Sequence, residues 1–251
     1  MIVEDFVMLG KTVPEPTADG RVFVCSAGYS PELRALIRVY PLARRACPRR
    51  WSVSTVRLQR KTGQFGEQTD SRGESWQIAA DRRPDTHDQI NSAFTEHGTV
   101  PDGARASMLD GTVLPSIAVA NQRRVSLAII HPHGTPEVWC EHDPDSPASP
   151  QLRLLDGMSD PARRFAWIPR IRFCDADGAH NLMVRDWGAF EFLRKGFPRC
   201  DLGRALHADA ECSLLVGNFN RHRTSWCVIS VLRGLRPAPD LFANPEMEAV
   251  A

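Results

Sequence analysis

Cys174, Asp175, Asp177 and His180 fall within seven residues of sequence. Thiolate, imidazole and carboxylate are the side chains that bind zinc. A structural zinc site takes four placed ligands, and no distant CxxC or HxxxH supplies the others. A metal is therefore not favoured there, and the Asp-Ala-Asp-Gly run reads as turn chemistry. His131 and His133 straddle Pro132, with Glu137 and His142 close behind, while Asp70 and Glu74 offer two carboxylates. None of these has the spacing of a nucleophile, base and orienter set. Neither GxGxxG nor a P-loop is present, so no cofactor is expected.

The cationic residues are better organised. Arg221-His222-Arg223, with Asn218 and Asn220, joins two apolar runs. Arginine grips phosphate through two parallel hydrogen bonds, so this turn is either a phosphate contact or a solvated connection. Trp226 beyond it is a stacking ring or a core residue. Arg170 and Arg172 are two apart in an alternating run, which sends both to one face and Ile171 and Phe173 to the other. Arg185 and Trp187 flank the same stretch. In the first half, Arg57, Arg60 and Lys61 end another alternating run. Tyr40 and Trp76 are further aromatics that either stack or pack.

These residues need strands to hold them. Alternation and β-branched content predict strands at 2–10, 21–28, 36–40, 51–60, 75–79, 116–120, 124–131, 136–141, 164–174, 212–219 and 225–232. Helices are predicted at 86–97, 103–109, 186–195 and 200–208, and 175–185 reads as a loop leading into the third of these. Many short strands with few helices imply a mainly β (α+β) fold of two small, partly open barrels. Asp143–Pro150 has linker composition. The expected division is a first unit at 1–142, a linker at 143–150, a second unit at 151–236 and a tail at 237–251.

Net charge is +1, from 31 basic and 30 acidic residues, so any nucleic-acid contact must be local. Seven cysteines without a CxxC pair point to a reduced, cytoplasmic protein. No apolar run approaches membrane-spanning length, and no basic-then-apolar leader opens the chain, so no membrane contact is expected.

Several segments resemble poorly characterised bacterial proteins described as containing two OB-like domains. They are LGKTVPEP (Leu9–Pro16), FVCSAG (Phe23–Gly28), LIRVYPL (Leu36–Leu42), SRGESW (Ser71–Trp76), RVSLAIIHP (Arg124–Pro132), IRFCDADGAHNLMVRDW and LLVGNFNRHRTSWCVISVL. Asp177 stands where the resemblance leads one to expect a second cysteine near Gly178. The resemblance implies two OB-like units and a part in nucleic-acid metabolism, within an antiviral or mobile-element gene set. The expected function is non-catalytic binding of single-stranded nucleic acid beside a protein partner. The expected contacts are Arg57, Arg60, Lys61, Arg170, Arg172, Arg185, Asn218, Arg221, His222, Arg223 and Trp226. The alternatives are a metal-dependent enzyme acting on nucleic acid and a structural protein-interaction subunit.

Overall fold

The computed structural model describes residues 1–16, 22–42, 47–60, 72–79, 93–143, 166–220, 222–233 and 235. Asp70, Lys61, Arg221, the 144–150 part of the linker segment and the 237–251 tail lie outside them.

The first half is built from β1 (Ile2–Lys11), β2 (Glu15–Pro16), β3 (Val22–Ser30), β4 (Ala35–Leu42), β5 (Ser52–Gln59), β6 (Ser75–Ile78) and β7 (Phe94–Thr99). β1 pairs antiparallel with both β3 and β5, and the path β1-β3-β4-β6-β5 closes into a barrel of OB-like order. The β4–β6 pair is parallel, and the other pairs of the ring are antiparallel. β1 serves two neighbours because its register slips between Val3 and Phe6 against β5 and between Met8 and Gly10 against β3. Such bulges bend a strand. Val3, Phe6, Met8, Ile37, Val39, Val56 and Leu58 fill the interior.

The second half contains α1 (Arg105–Met108), β8 (Val113–Leu114), α2 (Ile117–Gln122), β9 (Leu127–Ile130), β10 (Glu137–His142), β11 (Trp167–Asp175), β12 (Gly178–Val184), α3 (Trp187–Arg194), α4 (Leu202–Leu206), β13 (Ser213–Asn218) and β14 (Trp226–Leu232). Its sheet runs β10-β11-β12-β14-β13-β9-β8, again with a parallel pair, β12–β14, in the middle, and with a second, β8–β9, at its edge. β9 and β10 are consecutive in the chain and occupy opposite arms of the sheet, β9 on β13 and β10 on β11. They act as the two halves of one bent first strand, so the OB-like order of the first barrel recurs. α3 begins at Asp186, whose side chain accepts from the Gly188 N–H at 2.6 Å. It buries Trp187, Ala189 and Phe190.

Three expectations are corrected. Ser116–Ala120 is not a strand: Ser116 accepts from the Val119 N–H, which caps α2, and Ile117 and Ala120 then share its buried face. Phe94–His97 is not the end of a helix but part of β7, an exposed edge strand paired with β5. Its proposed start at 86–92 is outside the described residues. The stretch after Asp175 is not a long loop, because the turn closes at once with Asp175 opposite Gly178 and β12 runs back along β11. Gly178 has φ 142°, a conformation open to glycine.

The change of sheet falls between Thr99 and Val113. Composition alone marked 143–150, yet β8, β9 and β10 all pair in the second sheet. Polar and proline content follows exposure, whereas sheet membership follows pairing.

The barrels are pressed together. Val7, Leu9, Ala27, Tyr29 and Trp51 of the first pack with Leu127, Ile129, Leu215, Cys227, Ile229 and Leu232 of the second. A Cβ on Gly10 would lie 2.5 Å from Ser230 Cβ, so the two backbones meet where only glycine fits. At the rim, Arg50 Nη2 donates to Asp186 Oδ2 at 2.7 Å, and the Val13 N–H donates to the Arg185 carbonyl at 2.8 Å. Among the described residues no helix is long and apolar enough to cross a membrane.

Candidate functional site

The outer face of β10, β11 and β12 gathers cationic, aromatic and amide side chains. Alternation along β11 buries Ile171 and Phe173 and turns Arg170 and Arg172 outward. Their cross-strand neighbours are Trp139 and Met183 for Arg170, and Glu137 and Asn181 for Arg172. Val138 and Cys140 pack against the barrel core, which leaves Trp139 on the outer side. The Arg172 guanidinium sits 5.4 Å from the Trp139 ring centroid. Arg170 Nε donates to Glu141 at 2.8 Å, and Arg172 Nη1 to Glu137 at 3.2 Å. The Arg172–Glu137 pair is solvated, with the side chains 60% and 65% exposed, and contributes at most about 1 kcal/mol, whereas the Arg170–Glu141 pair is partly buried.

The Cys/Asp/His cluster is a structural turn. Strand alternation points Cys174 outward and Asp175 inward. Asp175 Oδ2 accepts from the Ile117 N–H at 2.9 Å and lies 2.8 Å from His180 Nε2, while Oδ1 accepts from the Asp177 N–H at 3.0 Å. Burial alone would raise its pKa, but the hydrogen bonds from Ile117, His180 and Asp177 outweigh it and hold the carboxyl below its ordinary value. Asp177 accepts from the Ser116 hydroxyl. Among the described residues no group of three or more His, Cys, Asp or Glu side chains is arranged to hold a metal ion. His131 Nδ1 is 2.6 Å from the Ser213 hydroxyl, and His142 packs edge-on against Trp167, so the histidines of that region are dispersed. His133 is exposed. Burial pushes the Cys47 thiol up to about 12 and raises that of Cys140 as well, which disfavours the thiolate at both.

The connection between β13 and β14 is partly what the sequence suggests. His222 is exposed and Arg223 half-buried, with Arg221 outside the described residues. Asn218 is not a surface contact. It is 5% exposed, and its Nδ2 donates to the Arg223 carbonyl at 2.9 Å, fixing the loop from below. Trp226 offers no face to a base, being 6% exposed with its indole N–H bonded to Asn121 Oδ1 at 3.0 Å. It belongs to the core because β14 runs between the barrel interior and the junction. Arg185 is half-buried just past β12, and its N–H donates to the Val228 carbonyl at 2.7 Å. In the first barrel, Arg57 is exposed on β5. Arg60 donates to the Gly73 and Ser75 carbonyls and lies 3.6 Å over the half-buried Trp76 ring. Tyr40 is half-buried at the end of β4.

Asp70 lies outside the described residues, and Glu74 is engaged at the junction. Its carboxylate accepts from the Ser126 N–H at 3.0 Å and hydroxyl at 2.8 Å, across the junction. Arg38, 4% exposed, donates to the Ser126 carbonyl at 2.7 Å, and buried Arg72 donates to the Asn218 carbonyl at 2.9 Å. Sequence reasoning missed this cluster, and it missed Trp139. The sequence did hold one sign of Trp139's position: in PEVWCEH, Trp139 alternates with Val138 and Cys140 and therefore faces away from the core.

A cleft of about 630 Å³ between the barrels is lined by Arg50, Trp51, Arg105, Asp186, His207 and Arg233 among others. Two of its arginines are already paired, Arg50 with Asp186 and Arg105 with Asp102 at 2.6 Å. No curated protein matches the chain. Residues 3–98, nearly the whole of β1 to β7, match the model of a family described as "Domain of unknown function (DUF8758)".

Proposed function

We propose that the protein binds single-stranded nucleic acid without catalysis, along the outer face of β10–β12. The observation that supports this most is the grouping of Trp139, Arg170, Arg172 and Asn181 on the second and third strands of an OB-like barrel and the half-strand beside them. OB barrels take oligonucleotides on that face, with cations on the backbone and aromatic rings under the bases. The loosely paired arginines supply the charge, and the half-exposed Trp139 supplies the ring. The buried Asp175 and the outward Cys174 do not converge, which weighs against the metal-dependent enzyme. A role inside a larger assembly is supported by a second surface, where Phe197 is 50% exposed and stacks on Phe192 at 4.8 Å. All seven cysteines are free, as suits a reducing cytoplasm.

The test is fluorescence anisotropy with a labelled oligothymidylate. Trp139→Ala should weaken binding by about 1–3 kcal/mol, the contribution of one stacked base. Arg170→Gln with Arg172→Gln should weaken it and flatten the salt dependence by about 1.4 units. Wild-type affinity in both variants would remove this face from the site.

A further inference from the structure

Two loops of the second barrel are tied to each other and to the first barrel at a single place. The end of α2 and the turn after it, residues 121–126, are anchored by Ser126, which Glu74 and Arg38 hold from across the junction. The 218–225 loop is anchored on the same point, because the Asn218 N–H donates to the Ser126 carbonyl at 3.1 Å and its carbonyl accepts from Arg72. Trp226 is bonded back to Asn121 and closes the ring of contacts. What these loops turn outward is cationic and aromatic. Arg123, Arg124 and His222 are exposed, and Phe219 is 37% exposed. Across 72–76, 121–126 and 218–225 the sole carboxylate is Glu74, and its oxygens are engaged by Ser126. The parallel pairing of Met183 with Cys227 brings the 218–225 loop out at the Asn181 end of β12, next to Arg172 in register.

We infer that this junction is a second contact surface for the same ligand, carrying a single strand off the β10–β12 face and across to the first barrel. Arg123, Arg124 and His222 meet phosphates, and Phe219 stacks a base. Arg38, Arg72 and Glu74 are positioning residues that hold the two loops together. The inference rests on the nucleic-acid reading above.

The experiment compares wild type, Arg123→Ala with Arg124→Asn, and Phe219→Ala, titrated with oligothymidylates of increasing length at several salt concentrations. Asparagine is used at 124 because Arg124 has φ 56°, which asparagine tolerates better than alanine. The double variant should melt like wild type and lose about 1.4 units of salt slope, about 0.7 per phosphate contact. Phe219→Ala should lose about 5- to 100-fold in affinity. Both losses should shrink for oligomers too short to leave the β10–β12 face. If wild type binds, Trp139→Ala weakens it and the junction variants do not, the junction inference fails and the face stands. If wild type does not bind, both fail. If the junction variants lose affinity for the shortest oligomers as much as for the longest, the strand does not run from one surface to the other.

Discussion

Asp175 shows how spacing and role separate. The sequence places a thiol, two carboxylates and an imidazole close together, and the structure keeps Asp175 beside His180 while strand alternation sends Cys174 to the other face. Its depressed pKa fixes the sign of a pH effect. A carboxyl whose folded pKa lies below its unfolded value near about 3.9 stabilises the fold above that pH, and the contribution is lost as pH falls through the folded value. Asp175→Asn should therefore cost about 1–3 kcal/mol at neutral pH in urea unfolding, with the gap to wild type narrowing below about pH 4. A gap independent of pH would show that the charge is irrelevant. Glu74 makes a parallel case across the junction. Glu74→Ala leaves the buried Ser126 N–H and hydroxyl without their acceptor, and should lower stability by about 1–3 kcal/mol in the same assay. Neither role is legible in sequence, because each depends on a partner more than 50 positions away.

The strands were the most readable elements, and two features explain the exceptions. β13 and β14 are buried along their whole length, since one face fills the second barrel and the other faces the first. That is why LLVG and WCVISVL are continuous apolar runs rather than alternating ones. They read as strands by β-branched content, but nothing in them says what covers the second face. α2 was missed because Ser-Ile-Ala-Val-Ala suits a strand as well as a helix, and the choice is made by the Ser116 cap. Gly217 on β13 marks another close approach within this layer. A Cβ there would stand 2.6 Å from Ile229 Cδ1 and 2.8 Å from Arg38 Nη2. Gly217→Ala should displace Arg38 from the Ser126 carbonyl and cost about 1–3 kcal/mol by thermal or urea melting. An unchanged melt would mean that the junction has slack there.

For the whole molecule, the two barrels share a core, so independent halves are not expected. β10 precedes residues 144–150 and pairs with β11 beyond them at six residue positions. Protease cleavage in 144–150 should leave fragments that co-elute in native size exclusion and separate only in denaturant. Separation in native buffer would show that the junction and the β10–β11 ladder are weaker than the contacts imply. The OB-like order was within reach of the sequence, because strand count and turn signals suggest it. The shared core was not, because it joins positions such as Leu9 and Ile229 that no local pattern relates. A salt titration of the unmodified protein decides the proposal that this body binds single-stranded nucleic acid through its arginines. Oligothymidylate binding followed by anisotropy from about 50 to about 200 mM salt should give a linear fall of log affinity with log salt, with a slope of about −0.7 per phosphate contacted. Absence of saturable binding at the lowest salt, or an affinity indifferent to salt, would contradict it.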